Sequence, residues 1–121
     1  MDRLILEQQG LGALIDMAVE SWRFSKLFIK LLSKLDAGEA PKYLNQYKYF
    51  RDKLEQSLEQ MGLKLVNLEG HVYDSGMAVK ALNMEEFSAQ DSLIIDQMLE
   101  PIVMGSDGLI RSGTVMLGKA G

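Results

Sequence analysis

The 121-residue chain contains no cysteine, which excludes disulfides and thiolate metal sites alike. It also lacks an excess of positive charge. Seventeen acidic residues against thirteen basic ones give a net charge of -4. The basic residues are scattered, whereas phosphate binding needs a positive stripe, so free nucleic acid is not an expected partner. A long apolar run is missing at the start. MDRLILEQQGLGA has an acid at position two and only three apolar residues in succession, too few for a signal peptide or a membrane span. No membrane association is expected, and the expected location is the cytoplasm. No internal repeat or low-complexity tract appears.

What is present argues for a folded chain, with 47% hydrophobic and 25% charged residues. This length suits one domain, or two lobes sharing a core, that buries roughly two-thirds of its unfolded surface. The chain divides near Gly62. From Leu14, the residues Leu14, Met17, Ser21, Phe24, Phe28, Leu31 and Leu35 recur at spacings of three and four, one face of a helix with only Ser21 polar. A second stripe, Leu11, Ile15, Ala18, Trp22 and Ile29, widens that face. Gly10 and Gly12 weaken the first turns, so the helix is expected from about Leu11.

Asp36-Ala-Gly-Glu-Ala-Pro41 reads as a break, with Gly38 able to end one helix and Pro41 suited to the first position of the next. Tyr43, Tyr47, Phe50, Leu54, Leu58 and Met61 then form the expected inner face of a second helix, which Gly62 stops. Its charged residues, among them Lys53, Glu55 and Glu59, read as a solvated outer face.

Past Gly62 the period changes. Residues 64–68, 78–84, 93–99 and 114–117 are short β-like runs separated by turn sequences. Pro101 cannot donate to a ladder, so its surroundings should lie at an edge or contain a bulge. Asp107-Gly108 supplies the left-handed backbone that a tight hairpin needs. The segment 100–118 therefore reads as two strands folded about a loop, with Arg111 at the start of the second. The expected class is α+β, with a helical hairpin over residues 1–61 and a small all-β module over residues 62–121.

Catalytic constellations are nearly absent. His71, the lone histidine, has no acid at ligand spacing and sits beside a glycine turn, where a solvated role is expected. Asp74, Glu85, Glu86, Asp91 and Asp96 are scattered over turns and strand ends, the usual places of turn-formers. Ser75-Gly76 and Ser112-Gly113 lack a nucleophile elbow's flanking glycine. Gly10-Leu-Gly12 has no preceding strand, lysine or third glycine and is no phosphate loop. Neither an enzyme nor a cofactor or metal is expected.

The order of elements resembles the GrpE family, the nucleotide exchange factors of DnaK-type chaperones, in a shortened form. Leu-Glu-Gln-Met-Gly-Leu at 58–63 is similar to the end of that family's last helix and the strand after it. Gly70-His-Val-Tyr-Asp74 is similar to a family turn, and Val79-Lys-Ala81 stands where the family usually carries His-Glu-Ala. Asp107-Gly108-Leu-Ile-Arg111 resembles Asn-Gly-Arg-x-x-Arg, and residues 115–120 resemble the closing strand and tail. The first arginine of that motif has no counterpart, because Leu109 follows Gly108. The family's Lys-Gly-Tyr is replaced around Glu100-Pro101-Ile102, and its acidic tail and long paired helix have no match.

The resemblance implies a cochaperone that binds a DnaK-type chaperone and promotes nucleotide exchange. Met104, Leu109 and Arg111 are the candidate contact residues, an arginine beside apolar side chains having the composition of a contact hot spot. The alternative is a structural adaptor that keeps the fold without exchange activity. In the competing structural reading, Ile110, Val115 and Leu117 fill the core and Arg111 covers an edge. The wide apolar face of the helical hairpin also needs cover. A homodimer through Leu14, Phe24, Phe28, Leu31 and Tyr47, forming a four-helix bundle as the resemblance also implies, would supply it.

Overall fold

The computed structural model describes residues 2–120. The chain falls into two compact units, residues 1–61 and 62–121. The first holds two helices, α1 (Asp2–Leu32) and α2 (Ala40–Gln60). The second holds six strands, β1 (Lys64–Val66), β2 (Val79–Ala81), β3 (Leu93–Glu100), β4 (Ile102–Gly105), β5 (Gly108–Arg111) and β6 (Gly113–Lys119). This is the α+β class expected from the period change at Gly62, where the backbone turns at φ +70°.

α1 starts earlier than Leu11 and runs through Gly10 and Gly12, a correction to the expected boundary. Two interior glycines cost about 1 kcal/mol each relative to alanine. A helix of 31 residues spreads that cost over many turns, and Arg3 and Glu7 add an i,i+4 ion pair at 3.4 Å. Its buried side chains are Ile15, Ala18, Val19 and Leu32, with Leu11, Leu14, Trp22 and Phe28 half-buried. The covered face therefore follows the second apolar stripe as far as Trp22 and then passes to Leu32, leaving Ile29, expected on that stripe, exposed. The first one, at Met17, Phe24, Leu31 and Leu35, is exposed.

Past Leu32 the chain tightens, with Lys34 N donating to Leu31 O at 3.0 Å and Leu35 N to Leu32 O at 3.1 Å. Asp36 Oδ1 then accepts from the backbone N–H of Gly38 and of Glu39, each at 3.0 Å. Aspartate thus does the capping just ahead of α2, whose N-cap residue Glu39 makes no side-chain cap bond and whose first turn holds Pro41. On α2 Leu58 is buried and Leu44, Tyr47 and Leu54 are half-buried. Tyr43, Phe50 and Met61, expected on the inner face, are exposed.

The strand unit is built on one long hairpin that bends in the middle. β3 pairs antiparallel with β6 from Leu93↔Lys119 to Glu100↔Thr114, and β4 pairs antiparallel with β5 from Val103↔Arg111 to Gly105↔Gly108. The bend falls at Pro101 on one arm and at Ser112 and Gly113 on the other. Below it β2 adds to β6 in parallel, giving a sheet of order β2-β6-β3; above it β1 adds to β4, giving β1-β4-β5. Ile95, Met98, Val103 and Val115 are almost wholly buried in the core of this unit, together with Pro101.

Proline without an N–H cannot extend the ladder, so the first sheet stops there and a second begins. β3 is an edge strand of its sheet and carries two register shifts against β6, as expected around Pro101. Gly113 lets the other arm follow. A Cβ on it would stand 2.5 Å from Met98 Cε and 2.9 Å from the Glu100 carbonyl oxygen. The free side of β3 is also occupied, because Gly70 N donates to Ile95 O at 2.8 Å, Ile95 N to His71 O at 2.9 Å and Tyr73 N to Leu93 O at 2.8 Å.

β2 is shorter than the expected run over 78–84. Beyond Ala81 one more backbone bond, Leu82 N to Val115 O at 3.0 Å, is made, and the ladder is then continued by a side chain. Asn83, 5% exposed, donates from Nδ2 to Leu117 O at 3.0 Å and accepts at Oδ1 from Leu117 N at 2.9 Å. Residues Met84–Glu86 then wind into a single 3₁₀ turn. One amide side chain thus satisfies both backbone groups of a buried β6 residue.

Asn83→Ala leaves that pair unsatisfied and is expected to destabilise the strand unit by about 1–3 kcal/mol. Asn83→Asp, which cannot donate to Leu117 O, should fall in the same range. Gly113→Ala must push apart the two arms of the hairpin and is expected to cost about 1–3 kcal/mol. Urea titrations followed by circular dichroism check all three. A midpoint unchanged for Gly113→Ala would contradict the close approach at the bend.

Candidate partner-binding surfaces

The β4–β5 hairpin carries the residues singled out in the sequence. Ser106 and Asp107 form the turn between Gly105 and Gly108. Within this hairpin only Gly108 has positive φ, at +123°. Asp107 is not left-handed, so the turn is not of the primed type expected for Asp-Gly; the left-handed residue follows the turn. Glycine meets that demand without the Cβ penalty other residues would incur.

The pairing then skips a residue. Val103 faces Arg111 and Met104 faces Leu109, which leaves Ile110 as the extra residue of a bulge. Gly105 makes room for it, since a Cβ there would lie 2.7 Å from Ile110 Cδ1. Leu109 and Ile110 remain exposed, at 51% and 43%. Met104 and Arg111 are half-buried. Met104 also pairs with Lys64 across β1, so a cation borders the apolar pair.

The structure brings Met104 and Leu109 together as cross-strand partners and puts Arg111 two residues from Leu109 on the same strand. Arg111 closes β5 and does not start the strand that follows. The arrangement is a short edge strand on a bent, well-packed base, with an apolar pair and a guanidinium beside it. Ile110 was assigned to the core in one reading of the sequence, and the bulge places it outside. Alternation along a strand gives no sign of a bulge, so only the adjoining Gly105 could have hinted at it. Val115 and Leu117 are buried, as that reading expected.

The helical unit offers a second surface. Phe24 and Leu31 are exposed, at 65% and 53%, while Leu14, Phe28 and Tyr47 are half-buried. The Phe28 and Tyr47 rings stack with centroids 6.5 Å apart and planes inclined by 28°. Beside them runs an apolar groove of about 190 Å³ lined by Phe24, Ser25, Phe28, Gln46, Tyr47 and Phe50. The Arg51 guanidinium stands 5.9 Å from the Tyr47 ring centroid, and Lys26 Nζ is 4.8 Å from that of Trp22. The exposure of Phe50 was not anticipated.

Several carboxylates elsewhere hold backbone or hydroxyl groups. Asp74 Oδ1 accepts from Gly76 N at 3.0 Å and Asp91 Oδ2 from Ser88 N at 2.8 Å, both ordinary turn chemistry. His71 is exposed. Glu69 Oε2 accepts from Met98 N at 2.7 Å, and Thr114 donates to Glu100 Oε1 at 2.8 Å. Among the described residues no group of three or more His, Asp or Glu is placed to hold a metal ion. No helix among them is long and apolar enough to cross a membrane. No family model, curated protein or solved structure matches the chain.

Because the Leu109 side chain is exposed, Leu109→Ser is expected to change unfolding free energy by no more than about 0.5 kcal/mol. A loss above about 2 kcal/mol in denaturant titration would instead make Leu109 part of the core.

Proposed function

We propose that the chain is a GrpE-like cochaperone that acts by binding and not by catalysis, pressing its β4–β5 hairpin against a DnaK-type chaperone and promoting nucleotide exchange. The observation that carries this reading is the hairpin itself, with Leu109 opposite Met104 and Arg111 on the same strand. The element is anchored by the bend at Pro101 and Gly113, so its apolar tip can meet a partner without first being ordered. An exchange factor must prefer the open cleft of its partner to the closed one, with about 1.4 kcal/mol of preference for each tenfold shift. Exposed apolar side chains beside an arginine on a rigid strand are suited to supplying such a preference.

The helical unit enters this reading as a dimerisation element. A second copy would cover Leu14, Phe24, Phe28, Leu31 and Tyr47 and convert two hairpins into a four-helix bundle. The exposure of Phe24 and Leu31 and the open groove beside Phe28 and Tyr47 support it.

Release of a fluorescent nucleotide from the DnaK-type chaperone of the same host tests the proposal. Acceleration at stoichiometric concentration is expected, with a loss of about tenfold or more in Arg111→Glu, since losing a hot-spot side chain costs about 2 kcal/mol or more and tenfold is about 1.4 kcal/mol. An unchanged release rate with retained binding would make the chain an adaptor. An unchanged rate without binding would overturn the reading.

A further inference from the structure

The C-terminal part of α1 carries cations without carboxylates among them. No aspartate or glutamate occurs from Ser21 to Leu35, while Arg23, Lys26, Lys30 and Lys34 do. Elsewhere in the helical unit the signs are mixed, with Arg3 beside Glu7 at 3.4 Å and Arg51 beside Asp52 at 3.2 Å. Arg23 reaches back to Glu20 at 3.4 Å. Lys30, in α1, and Lys34, in the turn that ends it, are exposed and form no ion pair among the described residues. Lys26, Lys30 and Lys34 follow one another at four-residue steps, and like charges at that spacing repel. Alternating signs would relieve the repulsion, as Arg3 and Glu7 do near the start of the same helix.

The row is not purely polar. At about 100° per residue Arg23, Lys26, Leu27 and Lys30 occupy a single sector of α1. Leu27, in the middle of it, is 53% exposed. A large apolar side chain ringed by cations has the composition of a contact centre with a charged rim.

We infer that this row docks an acidic helix of a partner protein, whose carboxylates lie along the cations and whose apolar side chains meet Leu27. Charge and spacing together select that occupant. Cations four residues apart on a helix are separated by about 6 Å along its axis, and carboxylates four residues apart on another helix repeat at the same interval, so one register pairs several of them. Phosphates along one strand of a duplex advance by about 3.4 Å and curve away from a straight row. A lipid surface binds in proportion to the apolar area inserted, and Leu27 is the only apolar side chain in this sector of residues 23–30. The inference goes beyond the proposed function. It uses none of the residues assigned there to the hairpin contact or the homodimer and needs neither to hold.

Trp22 gives a direct readout. It is the single tryptophan of the chain, and Lys26 Nζ stands 4.8 Å from its ring centroid, so drawing Lys26 toward a carboxylate alters the surroundings of the indole. The probe is a helical peptide of about 20 residues, built from alanine, leucine and glutamate with glutamate at every fourth position. A peptide of the same composition with its glutamates spread around the helix is the comparison. Titrated into the full chain and followed by Trp22 fluorescence and by calorimetry, the patterned peptide is expected to bind at least about fivefold more tightly than the scrambled one.

Lys30→Glu with Lys34→Glu is expected to weaken binding by about tenfold, and Leu27→Ser by about threefold or more. Lys42→Glu with Lys48→Glu makes the same change of charge at exposed positions of α2 and should leave the affinity within about twofold, because its distance from the row screens it. Equal affinity for the two peptides, an equal loss in the two double variants, or no binding by either method overturns the inference. Binding of phosphatidylserine vesicles or of a DNA duplex of about 20 base pairs more tightly than the patterned peptide also overturns it, in favour of that occupant.

Discussion

The bend at Pro101 and Gly113 is the constraint on which the strand unit depends. One hairpin supplies most of both sheets, and it can serve both only if each arm changes direction at the same level. Proline ends the ladder on one arm by lacking a donor. Glycine on the other leaves empty the place where a Cβ would stand 2.9 Å from the Glu100 carbonyl oxygen. Everything attached afterwards follows from this geometry. β1 finds β4 only above the bend, β2 finds β6 only below it, and the tip holding Met104 and Leu109 projects in a direction set by the corner.

The helical unit has no comparable internal lock. Its cover is thin for its apolar content, with exposed side chains from Ile5 to Met61. A two-helix hairpin has one mutual interface, and any second apolar stripe is left to another surface. That imbalance turns the first stripe of α1 from a packing element into a candidate contact surface. The charge pattern on the same helix then restricts what can lie beside it, because a neighbour of its cationic part must bring carboxylates.

Much of this was legible in the amino-acid order. The switch from a period near 3.6 to one near two placed the helices, the glycine stop and the runs that became β1, β3 and β6. Periodicity could not say which of two apolar stripes on α1 would be covered, because both have helical spacing and the choice depends on a neighbour. The glycines at 10 and 12 suggested a late start that helix length overrode. Around residue 83 the sequence was silent for another reason. A polar residue between Leu82 and Met84 reads as simple alternation, while its actual role is to stand in for a backbone partner of Leu117. At the candidate contact surface, Met104, Leu109 and Arg111 were found from composition near a turn. The bulge that expels Ile110 left no readable mark.

β6 is the middle strand of its sheet, flanked by β2 and β3, yet it follows both in the chain. During synthesis β3, with its Leu-Ile-Ile and Met-Leu stretches, emerges from the ribosome before the strand that will cover its inner side. Only the segment from Gly70 to Tyr73 is available by then to occupy an edge. The sheet closes when residues 113–119 arrive, so its assembly waits for its last strand and then proceeds in one step. A nascent chain halted short of β6 would present an uncovered apolar ribbon, the kind of species that holding factors near the ribosome recognise.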